Sequence, residues 1–204
     1  MPVSTINICN MALAKIGQPQ ITAIEENSQS ARQCRIHLEL DRDAVMSSFP
    51  WTFATNIERA VQVLNETPAP GYSFTYKKPP DALRIIRLVN PAASLSRVSE
   101  YDAQTESYRE IISGDKILIY SNIHGALIEY IRRVSDPTLW DALFCDALVL
   151  KLAMSLYSAL TGRGQRTGEL NALYEQALSR AKQVNANNDS TVHRMPTTLR
   201  DSRR

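Results

Sequence analysis

Residues 136–160 read DPTLWDALFCDALVLKLAMSLYSAL. The pair Asp136-Pro137 predicts the start of a helix, because an N-cap aspartate accepts hydrogen bonds from free amides and proline fits the first helical position. The leucines that follow, with alanines between them, cover more than one face of the helix. Such a helix needs apolar neighbours on several sides. We therefore predict a helix over residues 137–160 that packs against several others.

Three more segments have helical periodicity. Residues 4–16 space their apolar side chains as a helix does and end at Gly17. Residues 28–49 repeat apolar positions at heptad-like intervals, interrupted at Asp41, before Pro50 ends them. Residues 169–184 form the last periodic segment. The sequence thus predicts two helices before its middle third and two after it.

The middle third has the pattern of strands. Residues 72–76 alternate aromatic and small side chains, and residues 83–89 are rich in β-branched side chains. A turn at 113–116 joins two apolar runs as a hairpin, and residues 126–133 offer a further strand. These strands predict one small antiparallel sheet.

The order of elements predicts an α+β fold that is mainly α. We expect a four-helix bundle built from residues 1–65 and 134–186, since the helical ends can share one core. A small antiparallel β lobe, residues 66–133, is then inserted between helices two and three. Residues 187–204 are polar and arginine-rich, which predicts an extended, flexible C-terminal tail.

Composition and charge restrict the function. The chain has 204 residues, 44% of them hydrophobic and 22% charged, as in ordinary globular proteins. Four of its arginines lie after His193 with a single aspartate, which leaves −1 of the net +2 for the first 192 residues. This body lacks the basic excess of a duplex-binding domain. We also expect no secretion signal, no membrane span and, from three scattered cysteines, a reducing compartment.

Side chains that could carry chemistry do not converge in the sequence pattern. Cys9, Cys34 and His37 form the best ligand cluster, but both cysteines occupy apolar positions where cysteine acts as a small hydrophobe. The groups Glu39/Asp41/Asp43 and Asp141/Asp146 are interpreted as solvated carboxylates. The glycine-rich segment 162–168 follows a helix and is interpreted as a turn. We predict no catalytic residue, no cofactor and no metal.

Several stretches, taken together, carry a resemblance to a known family. They are NMALAKIG at 10–17, RDAVMSSFPWTFA at 42–54, PPDALR at 79–84, YIRRVSDPTLWDALF at 130–144 and LAMSL at 152–156. In order and spacing they resemble the tail tubular protein A, or head-to-tail adaptor, family of tailed bacteriophages and prophages. The likeness spans nearly the whole chain.

The resemblance implies a structural virion protein and no enzyme. Subunits of such adaptors form a ring, typically of twelve, between the portal protein and the tail nozzle (tail tubular B-like) protein. The ring would form part of the DNA conduit and could touch passing DNA non-specifically. The implied location is the head–tail junction of the virion, reached from the host cytoplasm during assembly.

Three sets of residues receive roles under this interpretation. The C-terminal tail is expected to dock on the portal through apolar anchors and arginines, namely Val192, Arg194, Met195, Leu199, Arg200, Arg203 and Arg204. Loops of the β lobe are expected to face the tail, through Pro79, Pro80, Asp102, Glu106, Asn122 and His124. The aromatic side chains of Phe49, Trp51, Phe53 and Trp140 are expected to anchor the core.

Two other classes of function stay open at this point. A helical nucleic-acid-binding protein could act through Arg132, Arg133 and the arginine-rich tail, with salt-dependent affinity. A small enzyme is the second alternative, for which the sequence supplies no convergent site. Because the periodic apolar positions are explained by one core, we further expect the free chain to be monomeric or weakly associated.

Overall fold

A computed structural model describes residues 4–91, 107–162 and 164–188. Within them, four helices and two small antiparallel sheets give the mixed α+β fold that the sequence predicts. The helices are α1 (Thr5–Lys15), α2 (Gln29–Ser47), α3 (Ala142–Thr161) and α4 (Thr167–Asn188).

Helix α3 is the centre of the helical part. Helices α1, α2 and α4 each pack along it, whereas α1 and α2 make little contact with each other. Buried side chains of α3 therefore occur almost all the way around it, from Phe144 and Cys145 to Leu156 and Tyr157. By length and a mean hydropathy of 1.6, α3 is the one described helix that could cross a membrane, but a core helix meets the same criteria.

Local signals set most helix ends. The hydroxyls of Ser4 and Ser28 accept hydrogen bonds from the amides of Asn7 and Ala31, which caps α1 and α2. Gly162 ends α3 with φ of 61°, a conformation that glycine adopts without strain. The segment after Gly162 joins α3 to α4 and is the helix–helix turn predicted from its glycines.

The start of α3 differs from the prediction. Asp136 caps only a single 3-10 turn over Pro137–Leu139, through a 2.9 Å hydrogen bond from the Thr138 amide to Oδ1. Trp140 and Asp141 then have extended backbone, and α3 begins at Ala142. The cause is tertiary, because Trp140 turns its ring into the core and donates from Nε1 to the Val134 carbonyl at 2.9 Å.

Seven described strands lie between α2 and α3 and form two antiparallel sheets rather than one. The first sheet has the order β1 (Thr55–Arg59), β7 (Leu127–Arg132), β4 (Ala82–Val89). The second has the order β2 (Val61–Gln62), β3 (Phe74–Lys77), β6 (Lys116–Ser121), β5 (Arg109–Ser113). Strands β1 and β2 precede residue 66, so the start of the β lobe predicted at that residue is too late. Residues 55–62 lack a strong strand pattern, and their conformation is fixed by the pairing of β1 with β7 and of β2 with β3.

The first sheet separates two hydrophobic cores. Ile131, with Leu83 and Ile86 beside it, joins the helical core. Side chains such as Ile85, Ile128 and Tyr130 join the smaller core between the two sheets. Side chains alternate between the two faces of a strand. The first sheet therefore contacts the helical core with one face and the smaller core with the other.

The chain crosses between helices and strands at two places that meet. Trp51 lies where the chain leaves the helices, and Trp140 lies where it returns to them. Both side chains are buried. Their rings contact Phe144 of α3 edge to face, with centroids 5.3 and 5.6 Å away, and Phe53 contacts it at 5.1 Å. Phe49, half-buried, packs on Trp51 at 5.3 Å. These aromatic side chains, from Phe49 to Phe144, form what we call the crossing cluster.

Helix α4 extends further than its apolar pattern predicts. The C-terminal tail is predicted to begin at residue 187, yet the helix continues to Asn188; Asn185 lies inside it and is 4% exposed. Its Oδ1 accepts hydrogen bonds from the Thr52 amide and hydroxyl at 3.1 Å, and its Nδ2 donates to Asp141 at 3.2 Å. These hydrogen bonds hold the last turns of α4 against the two segments where the chain passes between helices and strands. Hydrophobic periodicity in the sequence cannot reveal them, because they join polar side chains. Residues 189–204 lie outside the described part of the chain.

We expect Asn185→Ala to lower the free energy of unfolding by about 1–2 kcal/mol, because it leaves the Thr52 amide and the Asp141 carboxylate without this partner. Asn187→Ala, in the same turn but exposed, is the matched control and should change stability by less than about 0.5 kcal/mol. Urea unfolding followed by circular dichroism measures both. Equal effects of the two variants would contradict the role given to Asn185.

Candidate functional site

Pro79 and Pro80 lie at one end of the second sheet. Pro79 is buried and Pro80 is exposed, directly after β3. Both line an open cavity of about 380 Å³ together with Lys77, Lys78 and Lys116. Half of the six lysines in the chain thus gather at this end.

The charges at this end are only partly neutralised within the described residues. Lys78 Nζ forms an ion pair with Glu110 at 2.9 Å. Lys77 and Lys116 are exposed and form no ion pair with a described residue. Beside them, the cross-strand partners Ile112 and Ile117 are 76% and 41% exposed. Cationic and apolar surface therefore lie together, and we call this the lysine end.

Asn122 and His124 lie at the opposite end of the same sheet. Phe74 pairs with Ser121 there, three residues along β3 from Lys77, or about 10 Å at the rise of a strand. The Asn122 side chain accepts from the Ser73 amide at 2.9 Å and donates to the Gly71 carbonyl at 3.1 Å. His124 packs edge to face on Phe74 at 5.3 Å. The Asn122 amide and the His124 ring hold the lobe together, and the structure does not bring these two residues to the side of Pro79 and Pro80.

The remaining residues given roles in the sequence analysis lie outside the described part of the chain. These are Asp102 and Glu106 of the tail-facing set and all seven portal-docking residues, Val192, Arg194, Met195, Leu199, Arg200, Arg203 and Arg204.

The cysteines are buried thiols. Cys9, Cys34 and Cys145 are free, and all three lie in the helical core. The neighbouring Cys34 thiol and burial raise the pKa of Cys9, while burial, aided by Asp146 and Asp141, raises the pKa of Cys145 to about 11. The raised pKa values keep the Cys9 and Cys145 thiols protonated and weakly nucleophilic at neutral pH. Among the described residues, no group of three or more His, Cys, Asp or Glu side chains is placed to hold a metal ion.

Asp41 is the main exception to the predicted pattern of carboxylates. It was interpreted as solvated, yet it is 7% exposed in the packed side of α2. Oδ1 accepts a 3.2 Å hydrogen bond from the Ser155 hydroxyl of α3, while Oδ2 is buried without a hydrogen-bond partner among the described residues. Burial raises the pKa of Asp41, although the Ser155 bond and the charges of Lys151 and His37 oppose the rise.

The two arginines of the nucleic-acid alternative are both tied to the fold. Arg133 Nε forms an ion pair with Asp43 Oδ2 at 2.8 Å, and Asp43 also pairs with Arg42 at 2.9 Å. These contacts fasten the end of β7 to helix α2. Arg132 is half-buried in β7 and pairs with Ala82 of β4. The Arg133 guanidinium is therefore engaged by Asp43, whereas the Arg132 guanidinium forms no ion pair with a described residue.

No protein-family model matches the chain, and it has no significant match among curated proteins.

Sequence reasoning missed the lysine end. Lys77 and Lys116 are 39 positions apart, and only the pairing of β3 with β6 brings them together. The hairpin pattern did contain part of the signal, because a two-residue turn at Gly114-Asp115 places Ile112 opposite Ile117 on one face. The sequence alone does not show whether another part of the chain covers the face that carries Ile112 and Ile117.

The stability of the chain should carry a pH-dependent contribution from Asp41. A raised folded-state pKa means that this contribution is complete below the unfolded-state pKa of about 3.9 and is lost as pH rises through the folded-state value. We therefore expect Asp41→Asn to gain stability relative to the wild type as pH increases from 4 to 7. Glu39→Gln, exposed on the same helix, is the control and should run parallel to the wild type. Urea unfolding across this pH range tests it, and parallel curves for Asp41→Asn would contradict it.

Proposed function

We propose that this chain is a structural virion protein, the head-to-tail adaptor of a tailed bacteriophage or prophage. Its subunits form a ring of twelve between the portal protein and the tail nozzle protein and surround part of the DNA conduit. In this role the four helices act as a four-helix bundle, strands β1 to β7 act as a lobe inserted between α2 and α3, and residues 189–204 act as an extended docking tail. The protein acts without enzymatic activity or a cofactor.

The observation that carries the proposal is the crossing cluster. A subunit between two rings must transmit force from one end to the other, so its two parts must be joined rigidly. Trp51, Phe53 and Trp140 pack on Phe144 where the chain passes between helices and strands. The ion pairs of Asp43 with Arg42 and Arg133 reinforce the same junction. The segments that carry the family resemblance, 42–54 and 130–144, supply these residues.

The two ends of such a subunit also differ chemically. The lysine end offers exposed cationic and isoleucine side chains, which suit an acidic partner surface with apolar contacts. We assign this end to the tail nozzle, in preference to the end with Asn122 and His124, because the Asn122 amide forms hydrogen bonds within the lobe and the His124 ring packs on Phe74. The helical part and the arginine-rich tail then face the portal.

The proposal is tested by electron microscopy of the purified chain mixed with portal rings. We expect density on one end of the portal, and particles without any bound chain would overturn the proposal. Affinity for duplex DNA is the second measurement, because the nucleic-acid alternative requires strong binding that falls steeply with salt.

Deletion of residues 190–204 should abolish portal attachment and leave thermal unfolding nearly unchanged, because the segment follows α4 and adds arginines and only three spaced apolar anchors. The control keeps the length but replaces Thr197 and Thr198 with serine, and it should bind as the wild type does. Portal pull-down and calorimetry measure the two effects. If the truncated chain bound with wild-type affinity, docking would belong to the helices.

The double variant Lys77→Glu/Lys116→Glu should reduce tail addition to portal complexes while portal binding is unchanged, because it reverses the charge of the lysine end. His124→Gln, at the opposite end of the second sheet, is the matched control and should have little effect. Counting tailed particles by electron microscopy gives the readout. A defect confined to the His124 variant would place the nozzle contact at the other end.

A further inference from the structure

Helix α2 presents an apolar ridge to the outside. Ile36 and Leu40 are one helical turn apart and are 52% and 68% exposed. Arg32 precedes them by one turn and Glu39 lies beside them, and both are exposed. We call these four side chains the ridge. The sequence predicts no such stripe, because a single core explains the periodic apolar positions of α2.

A groove of matching character runs between α3 and α4. It has a volume of about 290 Å³ and an apolar floor of Leu143, Leu150, Leu173 and Ala177. Asp146 and Arg180 also line the groove. Leu173 is 41% exposed, so the floor is accessible to solvent from the outside. A second cavity of about 150 Å³ continues past Leu143 to Val184.

The charges of ridge and groove are complementary. Asp146 and Arg180 line the same groove but form no ion pair with each other or with any other described residue, and the same is true of Arg32 and Glu39. Each surface therefore carries one positive and one negative group beside apolar side chains. Laying the ridge in the groove lets Arg32 meet Asp146 and Glu39 meet Arg180 while Ile36 and Leu40 cover the leucines.

The ridge and the groove lie on different sides of the molecule. Ser155 marks the side of α3 that faces α2, because it bonds to Asp41. At 100° per residue, Leu143 and Leu150 lie roughly 120–140° around α3 from Ser155. Ile36 likewise lies roughly 140° around α2 from Asp41, on its outward side. One copy can therefore offer its ridge to one neighbour and its groove to another.

We propose that the α3–α4 groove binds the α2 ridge of a second copy of this chain. A contact between two unlike surfaces of the same chain is heterologous, so it repeats around a closed ring when the rotation per subunit allows closure. The ring is the setting given by the proposed function, on which this inference rests for its biological role. The pairing itself needs no portal. With few apolar side chains on each surface, a single pair is weak, and closure of the ring supplies the multivalency that stabilises it.

The pairing can be measured by thiol exchange between variants that each carry one added cysteine. Leu40→Cys is activated as a mixed disulfide with thionitrobenzoate and mixed with Leu173→Cys at high protein concentration, and release of the chromophore is followed. The native cysteines are buried and stay silent on this timescale. Docking raises the effective concentration of the two sulfurs, so we expect exchange about tenfold faster than for the control pair in which Ile112→Cys replaces Leu40→Cys. Rates are divided by those with glutathione to correct for intrinsic reactivity. Equal corrected rates would overturn the proposal.

Reversing the charges of the proposed Glu39–Arg180 pair tests the orientation of the ridge in the groove. Glu39→Arg in the ridge copy should slow the exchange, and Arg180→Glu in the groove copy should restore it. Failure of the second change to restore the rate would exclude the Glu39–Arg180 pair and with it the proposed orientation. Because these variants alter exposed side chains only, unfolding curves should match those of the wild type.

The occupant of the groove is tested in the same system. If the chain's own C-terminal segment filled the groove, replacing Val192, Met195 and Leu199 with serine would speed the reaction of the Leu173→Cys variant with glutathione. We expect no change, and an increase would assign the groove to the tail. Failure of exchange together with rings on the portal would leave the adaptor role intact with another interface. Specific exchange without portal binding would keep the interface and remove the adaptor role.

Discussion

The ring of Phe144 is the contact on which the rest of the fold depends. It is fully buried, and it receives Trp51 and Phe53 from the chain leaving the helices and Trp140 from the chain returning to them. Since both crossings close on one side chain of the central helix, about 90 residues of β structure and loops can be inserted without opening the helical core. The tryptophan indoles also donate to the carbonyls of Val45 and Val134, so their orientations are fixed as well as their positions.

The elements that sequence reasoning predicts well are those with local causes. Serine caps, Gly17 and Gly162, and the leucines of α3 fix the helices from within each segment, and the hairpin of β5 and β6 follows from its own turn. The elements it misses have distant causes. The short strands β1 and β2 exist because β7 and β3 pair with them, and Trp140 delays α3 because its ring is needed in the crossing cluster.

Polar side chains account for the other differences. Asp41 and Asn185 interrupt apolar patterns and so predict solvent or disorder, yet both are buried. Asn185 is satisfied by Thr52 and Asp141, which are 133 and 44 positions away, while Asp41 has one bond to Ser155 and one oxygen without a partner. A hydrophobic pattern contains no information about such bonds. The same holds for the candidate surfaces: the lysine end and the groove combine residues from separate strands or helices, and only the fold places them side by side.

The central position of α3 has a consequence for how the chain is made. Helices α1 and α2 pack on α3 and hardly on each other, and 94 residues separate the end of α2 at Ser47 from the start of α3 at Ala142. At roughly 5–20 residues per second, a ribosome takes on the order of 5–20 s to produce that interval. During this time the apolar faces of α1 and α2, with Leu13, Cys34 and Leu38, have no partner helix within the nascent chain. Until α3 emerges, the apolar faces of these helices stay exposed, so fragments that end before α3 present unburied helices to proteases.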